Sequence, residues 1–349
     1  FFFKQKTAYE IVDCDWSSDV CSSDLSFGRS VTYAELAARG DSFARCLPAR
    51  VALIAVEACN ELESVIAYVG CLRSGRPVLL LSAGDRDTSA NICASYRPEA
   101  TYARSEQGWS LQTSRSSGGA APHRDLAVLL STSGAKGTSM VVRLSKQNIA
   151  TNAQATAAFL GLTPDDRALS TLPFCFAYGM SAMHAHLAVG AAVLLTEQGI
   201  RDDAYWEFAQ REATTTLALV PHHLDILDAM GLANRLPPTL RVLTQAGGRL
   251  AEERVRKLVR LSEKNHFRFF VMYGKAEAAP PMASLPPAEA MAHAGTVGRA
   301  IPGGAFQIRD GQDQPITVPG VQGELVYRGP NVMMGYRSEE HTSELQSQS

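Results

Sequence analysis

The stretch from Asp125 to Ser139, DLAVLLSTSGAKGTS, combines an apolar run with a loop of small and hydroxyl residues. The apolar run has the length and composition of a buried strand. Glycines in the loop allow backbone N–H groups to turn inward, and hydroxyl groups add donors, so that the loop can form a nest for phosphate oxygens. A lone loop of this kind is usually an ordinary turn, so it predicts a phosphate site only together with other loops.

Strand-like and helix-like segments alternate on both sides of this stretch. Thr32 and Glu35 have the spacing of a capping box at the start of a helix, and Asn60 is predicted to cap the next one. After the loop, a helix is predicted from about Ser145, and the alternation continues as far as FRFFVMY, which ends at Tyr273. Apolar strands that alternate with long helices predict parallel βαβ units, covered on both faces of their sheets.

The pattern changes after residue 304. The segments FQIRD and GELVYRG are short, alternate polar with apolar residues and are separated by glycine and proline, which is typical of antiparallel hairpins. We therefore predict an α/β domain over residues 26–304 and the start of an antiparallel β subdomain over residues 305–336. Residues 114–122 are predicted to be a polar linker.

Both ends of the chain are predicted to be foreign to the protein. Residues 15–25, DWSSDVCSSDL, can be back-translated into DNA whose reverse complement encodes RSEEHTSELQS, which is the sequence of residues 337–347. Two unrelated protein segments have a negligible chance of this relation, so residues 1–25 and 337–349 resemble translated sequencing adapter. We exclude them from reasoning about the fold, as one would exclude a tag.

Composition excludes several classes of function. The chain carries a net charge of −2, and the two adapter-like ends account for −3 and −2, so residues 26–336 carry +3. This balance does not favour a nucleic-acid surface. No apolar run is long enough to predict a membrane span. The five cysteines outside the ends are scattered and form no CxxC pair, which is typical of reduced thiols and predicts a cytoplasmic protein.

Three loops follow predicted strands and could share one ligand, because ligands of open α/β sheets collect at the carboxyl ends of strands. The first is the loop that begins at Thr132. The second is QAGGR, where Gly247 and Gly248 allow a flat ring to approach the backbone. The third is MYGKAE, which offers the ring of Tyr273 and a carboxylate, Glu277, that could hold Mg²⁺. Neither a GxGxxG fingerprint nor a P-loop is present.

Six motifs, taken together and in order, resemble those of the AMP-forming adenylating enzymes. This superfamily comprises acyl-CoA synthetases, adenylation domains of nonribosomal peptide synthetases, and luciferases. The resemblance runs from about Thr32 to Tyr336 and rests on TSGAKGTSMVVRLSKQN, LPFCFAYGMSAMHAHLAVGA, TQAGGRL, MYGKAEA, AGTVGRAIPGG and GELVYRGPNVMMGY. It implies the large N-terminal domain of that fold, with stacked βαβ subdomains and without the small C-terminal domain.

The resemblance also implies roles for individual residues. Thr132 and Glu277 would be catalytic groups, and Glu277 would hold Mg²⁺. The phosphates of ATP would be bound by Thr132, Ser133, Gly134, Lys136, Gly137 and Thr138. Adenine would be bound by Gly247, Gly248, Tyr273 and Gly274. The acyl group would be bound by Phe176, Tyr178, Gly179 and His184, although His184 could instead be an ordinary helix residue.

By the same resemblance, the reaction is the attack of a carboxylate on the α-phosphorus of ATP. Pyrophosphate leaves, and an acyl-adenylate forms. A thiol, either coenzyme A or the phosphopantetheine of a carrier protein, then takes the acyl group. The implied partners are therefore ATP, Mg²⁺ and a small carboxylic acid, with an acyl carrier protein as an alternative acceptor. Catalysis of this kind depends on positioning and charge neutralisation.

The chain departs from the family pattern at several positions. The family loop usually reads S/T-S-G-S/T-T-G-x-P-K-G, but Ala135 replaces a hydroxyl, Lys136 stands where threonine is usual, and Met140 replaces the lysine. Ala276 stands where the family has threonine beside the metal-binding glutamate. After Tyr336 the family continues into an aspartate that holds the ribose and a domain with a catalytic lysine. We therefore expect a truncated and catalytically impaired enzyme fragment.

Two alternatives remain open. The first is a non-catalytic nucleotide-binding module descended from such an enzyme, which Met140 and Ala276 favour. The second is an amino-acid adenylation domain. Such a domain usually places an aspartate just after the first aromatic residues of the pocket to meet the α-amine, and residues 176–180 contain none. This absence favours a fatty or aryl acid as the substrate.

Overall fold

A computed structural model describes residues 22–24, 29–114, 121–132, 140–231 and 234–337 of the protein. Its helices are α1 (Tyr33–Cys46), α2 (Leu62–Arg73), α3 (Arg86–Tyr96), α4 (Lys146–Leu160), α5 (Ala177–Leu187), α6 (Asp203–Arg211), α7 (Pro221–Ala229), α8 (Glu252–Lys264) and α9 (Pro287–Ala290). Its strands are β1 (Ser22–Asp24), β2 (Arg29–Val31), β3 (Ile54–Ala58), β4 (Val78–Ser82), β5 (Ala100–Ser105), β6 (Gly108–Thr113), β7 (Leu126–Thr132), β8 (Met140–Ser145), β9 (Arg167–Leu169), β10 (Ala192–Leu195), β11 (Thr216–Leu219), β12 (Val242–Gln245), β13 (Arg268–Tyr273), β14 (Ala283–Leu285), β15 (Arg299–Ala300), β16 (Ala305–Arg309), β17 (Glu324–Arg328) and β18 (Tyr336–Arg337).

The larger sheet has nine strands in the order β15-β14-β13-β12-β11-β9-β10-β1-β2. The strands from β13 to β1 are parallel to one another, and antiparallel strands extend the sheet at both ends. Strand β1 lies within residues 1–25, which we expect to be foreign to the protein. That expectation about origin stays a prediction, although these three residues pair with β10.

The smaller sheet has seven strands in the order β18-β8-β7-β4-β3-β5-β6. Its centre, from β7 to β5, is parallel, and β8, β18 and β6 are antiparallel to their neighbours. The predicted parallel βαβ units are confirmed in both sheets. Because the loops after parallel strands emerge at one edge, each sheet has a carboxyl edge on which a site can be built.

One cluster of buried side chains joins the two sheets. Val56 of the smaller sheet and Val193 of the larger one belong to it, together with Tyr68 of α2 and Met183 of α5. Helix α1 packs against α2 so closely that a Cβ atom added at Gly70 would lie 2.4 Å from the carbonyl oxygen of Gly40. The helices between the sheets therefore fix one carboxyl edge relative to the other.

Strands β16 and β17 form a separate antiparallel hairpin. The rings of Phe306 and Tyr327 pack across it with centroids 5.0 Å apart. The antiparallel hairpin predicted from these two segments is thus confirmed, although antiparallel pairing already begins at β14 in the larger sheet. Val318, Val321 and Leu325 are exposed on this part of the chain.

Several features of the fold differ from the prediction. Helix α3 and the hairpin of β5 and β6 were not predicted, and neither was β8, which runs back along β7 before α4 begins. The predicted cap at Asn60 is wrong. Helix α2 begins after Glu61 and has no side-chain cap, while the amide of Asn60 donates to the carbonyl of Ser170. The capping box of Thr32 and Glu35 is confirmed.

Candidate functional site

Thr132 lies at the carboxyl end of β7, where the predicted phosphate loop begins. It faces Met140, the first residue of β8, and its hydroxyl donates to the Met140 carbonyl over 3.1 Å. The base of the loop is therefore closed by two antiparallel strands instead of opening a helix. The remaining predicted phosphate-binding residues lie outside the described part of the chain: Ser133, Gly134, Lys136, Gly137 and Thr138.

The predicted adenine-binding residues share one cavity of about 540 Å³. Strands β12 and β13 are parallel neighbours, with Gln245 opposite Val271, so the loops that follow them emerge side by side. Gly247 has φ +79°, and a Cβ atom there would lie 3.0 Å from Cγ1 of Val220. Glycine is therefore required at this turn. The four predicted residues that line the cavity are Gly247, Gly248, Tyr273 and Gly274.

Glu277 lies in a single 3-10 turn, Ala276–Ala278, that follows β13. The carboxylate accepts a hydrogen bond from the hydroxyl of Tyr336 over 2.6 Å at Oε1. This hydrogen bond raises the pKa of Tyr336 to about 12, so the phenol stays protonated and can donate. Ala276 has no hydroxyl to offer. The structure places the turn between the cavity described above and a second one.

The second cavity has a volume of about 620 Å³ and lies between the carboxyl edges of the two sheets. Thr132 of β7, Ser82 of β4, Phe176 before α5 and Ala276 of the 3-10 turn all line it. Cys175 lines it too, but burial raises the pKa of its thiol to about 11, so it is not a thiolate nucleophile near neutral pH. The first and third predicted loops, represented by Thr132 and Ala276, thus meet at the second cavity. The second predicted loop, QAGGR, contributes to the first cavity.

The four predicted acyl-pocket residues do not surround one cavity. Phe176 is 55% exposed and faces the second cavity. Tyr178 is buried, and its hydroxyl lies 2.7 Å from Oγ1 of Thr244. A Cβ atom at Gly179 would lie 2.4 Å from the Pro173 carbonyl oxygen, so this glycine permits close packing of the preceding loop. Of the four, Phe176 lines the second cavity, and Gly179 lines a separate smaller one.

His184 lies in the core between the sheets. Its Nε2 atom is 2.9 Å from the hydroxyl of Tyr68, and the two rings are stacked with centroids 5.6 Å apart. Burial lowers the pKa of His184 to about 4. It is therefore neutral at pH 7 and stabilises the packing of α5 on α2, as the alternative interpretation of an ordinary helix residue predicts.

The depressed pKa of His184 predicts a pH dependence of stability. An unfolded histidine titrates near 6.5 and the folded one near 4, so protons bind preferentially to the unfolded chain between these values. The free energy of unfolding therefore has its full His184 contribution above pH 6.5, and it should fall by roughly 3 kcal/mol as the pH drops to 4. Urea unfolding at several pH values would measure this fall. His184→Gln should reduce the slope and leave the part that comes from His186, whose pKa burial also lowers, whereas the exposed His293→Gln should not change it. Equal slopes in both variants would contradict the prediction.

The described residues contain no group of three or more His, Cys, Asp or Glu side chains that could hold a metal ion. Mg²⁺ does not require such a group, because it is commonly bound by one or two carboxylates together with substrate phosphates. Glu277 supplies one carboxylate and directly follows Ala276, which lines the 620 Å³ cavity. The described residues therefore fit Mg²⁺ that arrives with ATP.

Sequence reasoning missed the contribution of residues 330–336 to the site. The Asn331 amide donates to the carbonyl of Ala278, and the Met333 N–H donates to the carbonyl of Glu277 over 2.8 Å. The guanidinium of Arg143 in turn donates to the carbonyl of Met334. The motif GELVYRGPNVMMGY contributes to the family resemblance, but nothing in its residue types points to Glu277.

No helix in the described ranges could cross a bilayer.

Comparison with known proteins gives consistent results. A family model described as AMP-binding enzyme matches residues 83–337. The indoleacetate–CoA ligase of Aromatoleum aromaticum is 33% identical over 207 residues, which cover 59% of this chain and 39% of that protein. The 2-succinylbenzoate–CoA ligase of Bacillus subtilis is 28% identical over 219 residues, which cover 62% of this chain and 43% of that protein.

The solved structure of VinN has the same fold. It superposes with a TM-score of 0.80 at 23% identity, and the match covers 97% of this chain and 92% of that one. The chain matches only about two fifths of the length of the two curated relatives.

Proposed function

The chain belongs to the AMP-binding enzyme family, and on this premise we propose that it is the nucleotide-binding part of an AMP-forming acid:thiol ligase of the acyl-CoA synthetase kind. One observation carries the proposal. The turn from Tyr273 to Glu277 separates a cavity lined by Gly247 and Gly248 from a cavity lined by Thr132 and Phe176. A nucleotide could therefore lie against both, with its phosphates near Glu277.

In the proposed reaction, a carboxylate oxygen of the acid forms a bond to the α-phosphorus of ATP. The bond from that phosphorus to the pyrophosphate oxygen breaks, and pyrophosphate leaves with the electron pair. Tyr273 and the Gly247–Gly248 backbone would hold the adenine ring, and the Thr132 hydroxyl would turn from the Met140 carbonyl to donate to phosphate. Mg²⁺, when bound at Glu277, would neutralise phosphate charge. Positioning and charge neutralisation supply most of the catalysis in such reactions.

We propose an aryl or fatty acid as the substrate. Phe176 and Ala177 offer apolar surface to the 620 Å³ cavity, together with Leu80, Leu81 and Ile92. Asp85 also lines this cavity, so the preference for an acid without an α-amine rests on the absence of aspartate from residues 176–180. The two relatives described above are also named for aromatic acids.

We further propose that the chain as it stands is impaired in the complete reaction. Met140 stands where the family loop has lysine. Ala276 offers no hydroxyl beside Glu277, and losing a hydrogen bond to a charged group costs about 1.5–3 kcal/mol, or about ten- to a hundredfold in rate. These two observations also support the second candidate, a nucleotide-binding module without catalysis.

Two measurements on the full chain would test the proposal. Isothermal titration should detect MgATP binding at micromolar to low millimolar concentration. Exchange of labelled pyrophosphate into ATP should be weak and should be stimulated by indoleacetate or decanoate, with phenylalanine as the comparison. A folded chain that does not bind MgATP would contradict the nucleotide site, and stimulation by phenylalanine alone would contradict the substrate class. Binding without any exchange would favour the non-catalytic module.

A further inference from the structure

The segment from Pro330 to Tyr336 is held against the Glu277 turn by several contacts that do not involve the tyrosine ring. Asn331 is 1% exposed; its amide donates to the Ala278 carbonyl, and its own side-chain oxygen accepts from Tyr327 over 2.9 Å. The Met333 N–H donates to the Glu277 carbonyl over 2.8 Å. Backbone pairing with β8 fixes Tyr336 itself. The segment would therefore stay docked without the Tyr336 hydroxyl.

The Tyr336 hydroxyl instead acts on the carboxylate of Glu277. It donates to Oε1 over 2.6 Å, whereas no described side chain donates to Oε2. Ala276, the adjacent residue, cannot supply a donor. A carboxylate that is held at one oxygen keeps a fixed rotamer, and its second oxygen remains available to a cation.

We propose that Tyr336 is a positioning residue for Glu277: its hydroxyl holds the carboxylate in one orientation, in which Glu277 would bind the magnesium ion that accompanies ATP. The proposal rests on the function proposed above and deepens it. A hydrogen-bond donor behind a metal ligand restricts the orientation of that ligand, and removing such a donor typically weakens metal affinity or activity by about 10- to 100-fold. Tyr336 is 40% exposed, so removal of its hydroxyl opens no cavity in the core.

Tyr336→Phe in the full chain tests this role, with ATP binding measured by isothermal titration as the Mg²⁺ concentration is varied. We expect the apparent affinity for MgATP to fall by about 10- to 100-fold. ATP binding without Mg²⁺ should change by less than about twofold, because the phenol does not line the 540 Å³ cavity. Mn²⁺ in place of Mg²⁺, followed by its paramagnetic resonance signal, would report the metal directly and without turnover.

The matched control is Tyr327→Phe. Tyr327 lies on β17 and donates to Asn331, which belongs to the same docked segment as Tyr336, but Tyr327 does not touch Glu277. It should leave the magnesium dependence unchanged. In a Glu277→Gln background, Tyr336→Phe should have no further effect, because the carboxylate that it positions is gone.

Three results would overturn the inference. These are an unchanged magnesium dependence in Tyr336→Phe, an equal loss of ATP binding with and without the metal, or an equal loss in Tyr327→Phe. The last two would mean that the hydroxyl only supports the local structure. If the unaltered chain is folded but binds no MgATP, the function proposed above fails with it, and this outcome is recognised before any variant is made.

Discussion

Glu277→Gln is expected to weaken magnesium-dependent ATP binding by at least about 100-fold. The amide keeps the shape of the carboxylate and can still accept from Tyr336, but it removes the negative charge that a hard cation prefers. The loss should exceed that from a residue behind a metal ligand, which is about 10- to 100-fold. Titration of ATP with and without Mg²⁺ would measure it.

The control for this variant is Glu324→Gln. Glu324 is an exposed residue of β17 with the same change of charge and shape, away from both cavities. Binding should be the same as for the unaltered chain. Magnesium-dependent binding that survives Glu277→Gln within tenfold would mean that another group holds the metal, and the assignment of Glu277 would be wrong.

Asp166→Ala is expected to lower the free energy of unfolding by about 3–5 kcal/mol. Asp166 is fully buried, and its carboxylate accepts from the Thr163 N–H over 2.9 Å, from the Thr215 hydroxyl over 2.8 Å and from Arg241 over 2.9 Å. These contacts join the beginnings of β9, β11 and β12. The Thr163 hydroxyl also donates to the Asp166 carboxylate over 3.3 Å, so alanine would leave four donors without their acceptor and would open a small cavity.

Urea unfolding would measure this change, with the neighbouring Asp165→Ala as the control. Asp165 is exposed, so its substitution should cost less than about 0.5 kcal/mol. Below the transition, Asp166→Ala should still bind ATP, because Asp166 lies at the amino edge of the sheet and the site lies at the carboxyl edge. Equal stability of the two variants would contradict the role of the buried carboxylate.

The order of most helices and strands could be predicted because each is short, apolar and bounded by glycine, proline or a cap. Helix α3 was missed because it buries little: Ile92 and Tyr96 are its only buried side chains. The hairpin of β5 and β6 was missed for a similar reason, since most of its residues are only half-buried or exposed. Segments that contribute little to the core leave a weak pattern in the sequence.

The site was predictable where function requires a backbone geometry, and less so where it depends on contacts between distant residues. Gly247 and Gly274 could be placed because glycine after a strand indicates a close approach. The contact between Tyr336 and Glu277 joins residues 59 positions apart and leaves no local pattern. The burial of Tyr178 and His184 likewise depends on α2 and β12, whose positions against α5 cannot be read from the helix sequence alone.

The pairing of β18 with β8 has a consequence for synthesis of the chain on the ribosome. Arg143 in β8 donates to Met334, which is 191 residues further along. At about 5–20 residues per second, roughly 10 to 40 s pass between the emergence of these two segments. During that interval β8 is an open edge that can pair with another nascent chain. Chaperone contact with newly made chains should therefore concentrate on β8 until its late partner has been translated.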